Sequence, residues 1–180
     1  MTIPNMITVA RLLAVPVFAW ALLEGRLSAA FFIFLAAGLS DAVDGYLARR
    51  WDQHSAFGAW LDPIADKLLM ASAYGLLGFL GVLPAWLVLL VIGRDVLIVA
   101  AVAAARLQGK ALETKPILVS KANTAAQVFL VVLVLADLAF AFAADHVVWA
   151  VILVAAALTI LSGAAYFNIW MRRMRGVTAP

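Results

Sequence analysis

The sequence predicts an all-α integral membrane protein with six transmembrane helices and both termini in the cytoplasm. Three observations carry this expectation. First, the chain has 180 residues, of which 67% are hydrophobic and 13% charged, and its mean hydropathy is +1.07. A soluble domain has roughly 45–50% apolar and about 25% charged residues, so a water-soluble fold is excluded. Disorder is excluded too, because it needs low hydrophobicity and high charge. Second, a spanning helix takes about 20 apolar residues, and roughly 120 such residues leave room for about six spans. Third, the basic residues segregate. Arg49, Arg50, Arg106, Lys110, Lys115, Lys121, Arg172, Arg173 and Arg175 fall in alternate connections and the C-terminal tail, whereas the opposite side holds Arg26. The positive-inside rule then places both termini in the cytoplasm.

The spans follow in order. The first is expected from Pro4 to Leu23, since proline suits a first helical turn. The second runs from Ser28 to Arg50. The third starts between Ser55 and Pro63 and ends near Gly81. The fourth runs from Pro84 to Arg106, the fifth from Ser120 to Ala144, and the sixth from His146 to Met171. Trp20, Trp51, Trp86, Trp149 and Trp170 fall near the expected span ends, as an aromatic belt requires. No internal repeat or second domain is visible, so residues 1–180 are read as one membrane domain. The opening segment has Arg11 alone before its apolar run, with Asn5 and Thr8 interrupting the approach, and is read as a retained span, not a cleaved signal. No Arg- and Ser-rich transit segment is seen, which favours a prokaryotic inner membrane. The chain has no cysteine, which removes disulfides and thiol catalysis. The net charge of +3 is too small to imply a nucleic-acid partner.

Charges inside spans are costly and usually functional. Asp41 and Asp44 are three apart, and Asp62 and Asp66 four apart, so each pair shares a helix face. A short connection makes the two helices an antiparallel pair with the carboxylates near its cytoplasmic end. Four crowded carboxylates repel unless cations neutralise them. Oxygen donors without His or Cys suit a hard divalent cation. Two such metals are a recurrent clamp for phosphoryl transfer. The plainer alternative is helix caps and solvated charges, with Asp62 capping a helix that opens at Pro63. Gly45 and Gly58 flank the acidic residues, and a glycine inside a helix costs about 1 kcal/mol relative to alanine. Close approach of a ligand or of another helix would justify that cost.

These residues carry a specific resemblance. Asp41-Ala-Val-Asp44-Gly45-Tyr-Leu-Ala48-Arg49, then eight residues to Gly58, then Asp62 and Asp66, resembles the CDP-alcohol phosphatidyltransferase signature at every fixed position. Eight fixed positions match by chance on the order of 10⁻⁹ per start site. The resemblance implies six transmembrane helices and a homodimer. It implies that Asp41, Asp44, Asp62 and Asp66 hold two divalent cations, Mg²⁺ or Mn²⁺, against the diphosphate of CDP-diacylglycerol, with Asp66 also the general base. It further implies a nucleotide pocket of Gly45, Ala48, Arg49 and Gly58, joined by Asn5 and Thr8 of the opening helix. Helix capping is the plainer reading of Asn5 and Thr8, and snorkelling to the surface that of Arg11.

Two further segments bear on the acceptor. Gly93-Arg94-Asp95-Val96 lies in the middle of the fourth span, where Arg94 is read either as a structural ion pair or as a group facing a cavity and binding an acceptor phosphate. Ser120-Lys121-Ala-Asn123-Thr124-Ala-Ala-Gln127 opens the fifth span, and Lys121 is read as joining Arg94. Both segments resemble the cardiolipin-synthesising branch of the family. They depart from the phosphatidylglycerophosphate-synthesising branch at Asp95, Ser120 and Asn123, where that branch tends to have Arg-Glu and Gly-Lys-x-Lys-Thr. The acceptor implied is phosphatidylglycerol, giving cardiolipin and CMP. Glycerol 3-phosphate is the alternative acceptor, ahead of inositol phosphate or serine. A cation transporter is the rival class, but its acids would be expected at the membrane midplane. Asp137 in the fifth span is read as an outer-end or packing residue.

Overall fold

A computed structural model describes the backbone of residues 3–51, 56–107 and 118–174, and the side chains of 7–40, 64–101, 118–169 and 171. Six α-helices make up the described residues: α1 Ile3–Leu23, α2 Leu27–Trp51, α3 Ala56–Phe79, α4 Ala85–Leu107, α5 Leu118–Phe140 and α6 Asp145–Met174. Two of them contain stretches long and apolar enough to cross a membrane, Leu118–Phe140 and Asp145–Ile169. Only 33% and 28% of these stretches are buried inside the molecule. A soluble core helix of such composition would hide its apolar surface, so these faces require an apolar surrounding. Trp20, Trp86 and Trp149 are about half exposed near helix ends, as expected of side chains at a membrane interface.

The helices form two compact units. The first comprises residues 1–82 and 131–144. In it α1 packs on α2 and on α3. Small residues let the backbones approach: Ala21, Ala30, Ala37, Ala65 and Ala73 are all buried. Larger side chains fill what remains, with Phe18 tilted on Phe34 at 5.7 Å between ring centroids. Thr8 and Arg11 are each 1% exposed. Snorkelling of Arg11 is thereby corrected: its side chain is buried within the first unit.

Two glycines end helices in this unit by the same device. Gly25 has φ +70° and Gly81 φ +72°. Gly25 N–H donates to Leu22 O, and Arg26 N–H donates to Ala21 O. Likewise Gly81 N–H donates to Gly78 O, and Val82 N–H donates to Leu77 O. Each is a six-residue closure with a left-handed glycine just past the helix. Arg26, turned back by the first closure, lies 4.7 Å over the Trp20 ring.

The fifth helix ends earlier than its apolar run suggests, at Phe140 and not near Ala144. Ala141 and Ala143 both take left-handed conformations, φ 54° and 53°. Asp137 holds the turn, its backbone oxygen accepting from Ala141 N–H at 2.8 Å and its Oδ1 from Ala144 N–H at 3.0 Å. Asp137 is thus a helix-end residue with a defined structural task. The third helix begins at Ala56, so Asp62 lies inside the helix, and its reading as an N-cap is corrected.

The second unit comprises residues 83–130 and 145–180, where α4 packs on α6. Leu83, Leu87 and Val91 of α4 and Ile152, Ala155 and Ala156 of α6 are buried. The sixth helix runs to Met174, three residues past the expected end, and carries Asp145 in its first turn, where the helix dipole favours an anion.

Replacing Gly81 by alanine is expected to destabilise the protein by about 1 kcal/mol, because a Cβ disfavours φ above zero. Ala141→Gly is expected to act in the opposite direction. Thermal unfolding in detergent checks both, and a Gly81→Ala protein as stable as the parent would remove the closure from the account.

Candidate active site

The acidic segment sits on continuous helical backbone. The second helix runs through positions 41, 44, 45, 48 and 49, and the third through 58, 62 and 66. The spacings of three and four therefore fall on helices, as expected. Asp66 is half-buried and Lys67 exposed. The side chains of Asn5, Asp41, Asp44, Gly45, Ala48, Arg49, Gly58 and Asp62 lie outside the described ones. Among the described residues no three His, Cys, Asp or Glu side chains form a metal-sized group. The donor set is nonetheless all carboxylate, which is the chemistry a hard divalent cation takes. Thr8, expected at a nucleotide, is buried within the first unit.

The best-defined polar constellation belongs to the second unit. The Arg94 guanidinium donates from Nη1 to Asp95 Oδ1 at 2.6 Å. From Nη2 it donates to Ser120 Oγ at 2.8 Å and to Ser162 Oγ at 2.6 Å. Its Cζ lies 5.6 Å from the Tyr166 ring centroid. The side chains of Arg94 and Asp95 are 11% and 31% exposed. Magnitudes decide what holds this charge. An arginine at the centre of a membrane helix costs about 3 kcal/mol on insertion scales. A hydrogen bond between membrane helices returns about 0.6 kcal/mol, so two serines alone fall short. Neutralisation by Asp95 is the larger effect, and the serines fix direction. Arg94 also lines a cavity between α4 and α6, so the ion pair and the cavity position are both present.

A second group lies one turn along. Gln127 Nε2 donates to Thr159 Oγ1 at 3.1 Å, and Thr159 Oγ1 lies 2.8 Å from Asn123 Oδ1 and 2.7 Å from Ala155 O. All three side chains are buried. One hydroxyl hydrogen cannot serve both neighbours. With the Asn123 amide turned end for end, its NH₂ donates to Thr159 Oγ1, and Thr159 donates to Ala155 O. That arrangement also gives Asn123 Nδ2, otherwise without a hydrogen-bond partner among the described residues, an acceptor.

The fifth helix thus turns Asn123 and Gln127, four apart, inward, while Lys121 and Thr124 are exposed. Ser120, not Lys121, is the residue of this segment that meets Arg94. Sequence reasoning passed over Thr159, Ser162, Gly163 and Tyr166. Their signal is a stripe at positions i, i+3, i+4 and i+7 of an otherwise apolar helix.

Residues 1–170 match the family model for CDP-alcohol phosphatidyltransferase, and the chain belongs to that family. Among its relatives is the cardiolipin synthase (CMP-forming) / mitochondrial hydrolase fusion protein of Schizosaccharomyces pombe. It is 37% identical over 180 residues, covering 92% of this chain and 30% of that protein. The human cardiolipin synthase (CMP-forming) is 36% identical over 158 residues, covering 79% of this chain and 52% of that protein. A Streptomyces coelicolor protein of the same description is 37% identical over 115 residues, covering 61% and 54%. The chain therefore spans about half the length, or less, of these relatives.

Thr159→Val keeps the shape and removes the hydroxyl. It is expected to destabilise the protein by about 1–2 kcal/mol, because Gln127 and Asn123 are left buried without their common partner. Thermal unfolding in detergent is the check, and an unchanged midpoint would show that the amides find other partners.

Proposed function

We propose that the protein transfers the phosphatidyl group of CDP-diacylglycerol to a hydroxyl of phosphatidylglycerol, giving cardiolipin and CMP. Membership of the family carries this reading, together with the complete acidic signature from Asp41 to Asp66. Relatives named cardiolipin synthase (CMP-forming) support the choice of acceptor. Membership of a transferase family leaves the cation-transporter reading without support.

In this proposal Asp41, Asp44, Asp62 and Asp66 hold two divalent cations, Mg²⁺ or Mn²⁺, which supply Lewis-acid stabilisation of the departing CMP phosphate. Asp66 also takes the proton of the acceptor hydroxyl. The hydroxyl oxygen forms the new bond to phosphorus while the bond between that phosphorus and the CMP oxygen breaks. Arg49 stabilises charge on the diphosphate, and Gly45, Ala48 and Gly58 keep the wall close to the nucleotide. Asn5 and Thr8 add polar contacts there, and Arg94 binds the acceptor phosphate. The six helices cross a prokaryotic inner membrane as one homodimeric domain, with termini and active site on the cytoplasmic side.

The test is CMP release from CDP-diacylglycerol by the purified protein with Mg²⁺, with the lipid product identified. Phosphatidylglycerol is expected to support turnover and glycerol 3-phosphate not to; the reverse would keep the transfer chemistry and overturn the acceptor. Asp66→Asn is expected to lower turnover at least a hundredfold, the usual size of a general-base contribution, with CDP-lipid binding retained. Equal loss of binding would remove the base assignment.

A further inference from the structure

A cavity of about 730 Å³ opens between α4 and α6, inside the second unit. Its size is that of a small-molecule site, yet its lining is apolar except for Arg94, Thr159 and Tyr166. Two lining positions are glycines, Gly93 on α4 and Gly163 on α6. A Cβ at Gly93 would meet nothing within 4 Å, and one at Gly163 would meet Arg94 Cγ at 3.8 Å. The groove thus has room for a side chain at Gly93, and at Gly163 for a Cβ in van der Waals contact with Arg94. On α4 the lining runs from Leu89 to Ala101, which at the helical rise is about 18 Å. Arg94 lies within that run, about 8 Å from its Leu89 end and about 11 Å from its Ala101 end, so a chain anchored there follows the groove for part of one leaflet's depth of about 15 Å. The rim is exposed, Leu97 71% and Phe167 60%, so an amphiphile enters from the side.

The charge on the wall selects among amphiphiles. Three of the five guanidinium N–H groups of Arg94 are held by Asp95, Ser120 and Ser162. Nε is without a hydrogen-bond partner among the described residues. Arg94 and Asp95 together carry no net charge, so a phosphodiester with one negative charge suits them better than a doubly charged free phosphate, and a lipid without its own ammonium leaves the guanidinium as that phosphate's counter-ion.

We infer that the α4–α6 groove is an anionic-phospholipid site, holding one acyl chain along Gly93 and Gly163 with the lipid phosphodiester at Arg94. The inference rests on the proposed reading of the protein as a lipid-to-lipid transferase, for which this lipid is the acceptor. It adds that acceptor preference is set by the chain as well as by the headgroup.

The test uses the full-length protein and two groove-filling variants, Gly163→Leu and the rim variant Leu97→Trp, so that a folding defect in one leaves the other. Native mass spectrometry in detergent, with added phosphatidylglycerol or phosphatidylcholine, reads binding. Cardiolipin formation with long-chain and short-chain phosphatidylglycerol reads chain preference. The parent is expected to retain phosphatidylglycerol over phosphatidylcholine, and the variants to lose that retention. The long-over-short preference is expected to fall about tenfold, the effect of losing burial of roughly two methylene groups. Equal retention of both lipids, or variants that keep the parental retention and preference, would overturn the inference. So would conversion of a dimer to a monomer by both variants, which would give the groove to a second copy. Selective retention lost in the variants, with no cardiolipin formed by the parent, would fell the proposed reaction and leave the groove standing. Cardiolipin formation indifferent to both variants would do the opposite.

Discussion

One unfavourable burial organises the second unit. A guanidinium in the middle of an apolar helix has to be neutralised and hydrogen-bonded where it stands. The neutralising group is its neighbour in sequence, Asp95, so α4 carries a self-balanced dipole and not a bare charge. The two Nη2 donors then reach one serine on α5 and one on α6. Direction and energy thus have different sources: the ion pair makes the burial tolerable, and the hydroxyls fix which way the guanidinium faces. The groove lies beside this guanidinium, and a Cβ at Gly163 would come into van der Waals contact with Arg94 Cγ.

The helices were legible because apolar runs of spanning length leave little freedom in where a helix lies. The ends were less so. Gly25 and Gly81 signal their closures plainly, because left-handed backbone favours glycine. The end of α5 gave no such signal: Ala141, Phe142, Ala143 and Ala144 suit a helix, and what stops it is the Asp137 carboxylate capturing a backbone N–H. Arg11 misled for a related reason. A basic residue near the start of a span can reach water along the helix, but packing of α1 on two neighbours put its face inward. The first outcome turns on one side chain within the local sequence, and the second on tertiary packing.

The site divided along the same line. The acidic signature was readable because its spacing is helical and its members are charged in an apolar chain. The α6 contribution was not, since Thr159, Ser162 and Gly163 are small residues of a kind that membrane helices use for packing. Their role depends on which face of α6 meets Arg94, and only the tertiary arrangement supplies that. Lys121 shows the converse: its charge drew the reading, while the hydroxyl of Ser120 beside it makes the contact.

The three positions at which this sequence departs from the phosphatidylglycerophosphate-synthesising pattern come together in the structure. Asp95 neutralises Arg94, Ser120 accepts from it, and Asn123 meets Thr159, one turn of α6 from Ser162. Of the three changes, the one at position 123 alters charge, while Asp95 keeps the carboxylate and Ser120 adds a neutral hydroxyl. A lysine at position 123 would be a second cation close to the first, in a place where Asn123 is 0% exposed. Two adjacent cations stabilise a phosphate with two negative charges, and in a low-dielectric site they resist being left with only one. A neutral amide there leaves one guanidinium already matched by one carboxylate, and the hydroxyl at 120 accepts from that guanidinium. Such a pair gains little from a dianion but accommodates a singly charged phosphodiester. A phosphodiester that also carries acyl chains brings its own binding energy through apolar contact and does not need the second charge. The polar network and the open apolar groove beside it are both what the proposed transfer to a lipid acceptor would require.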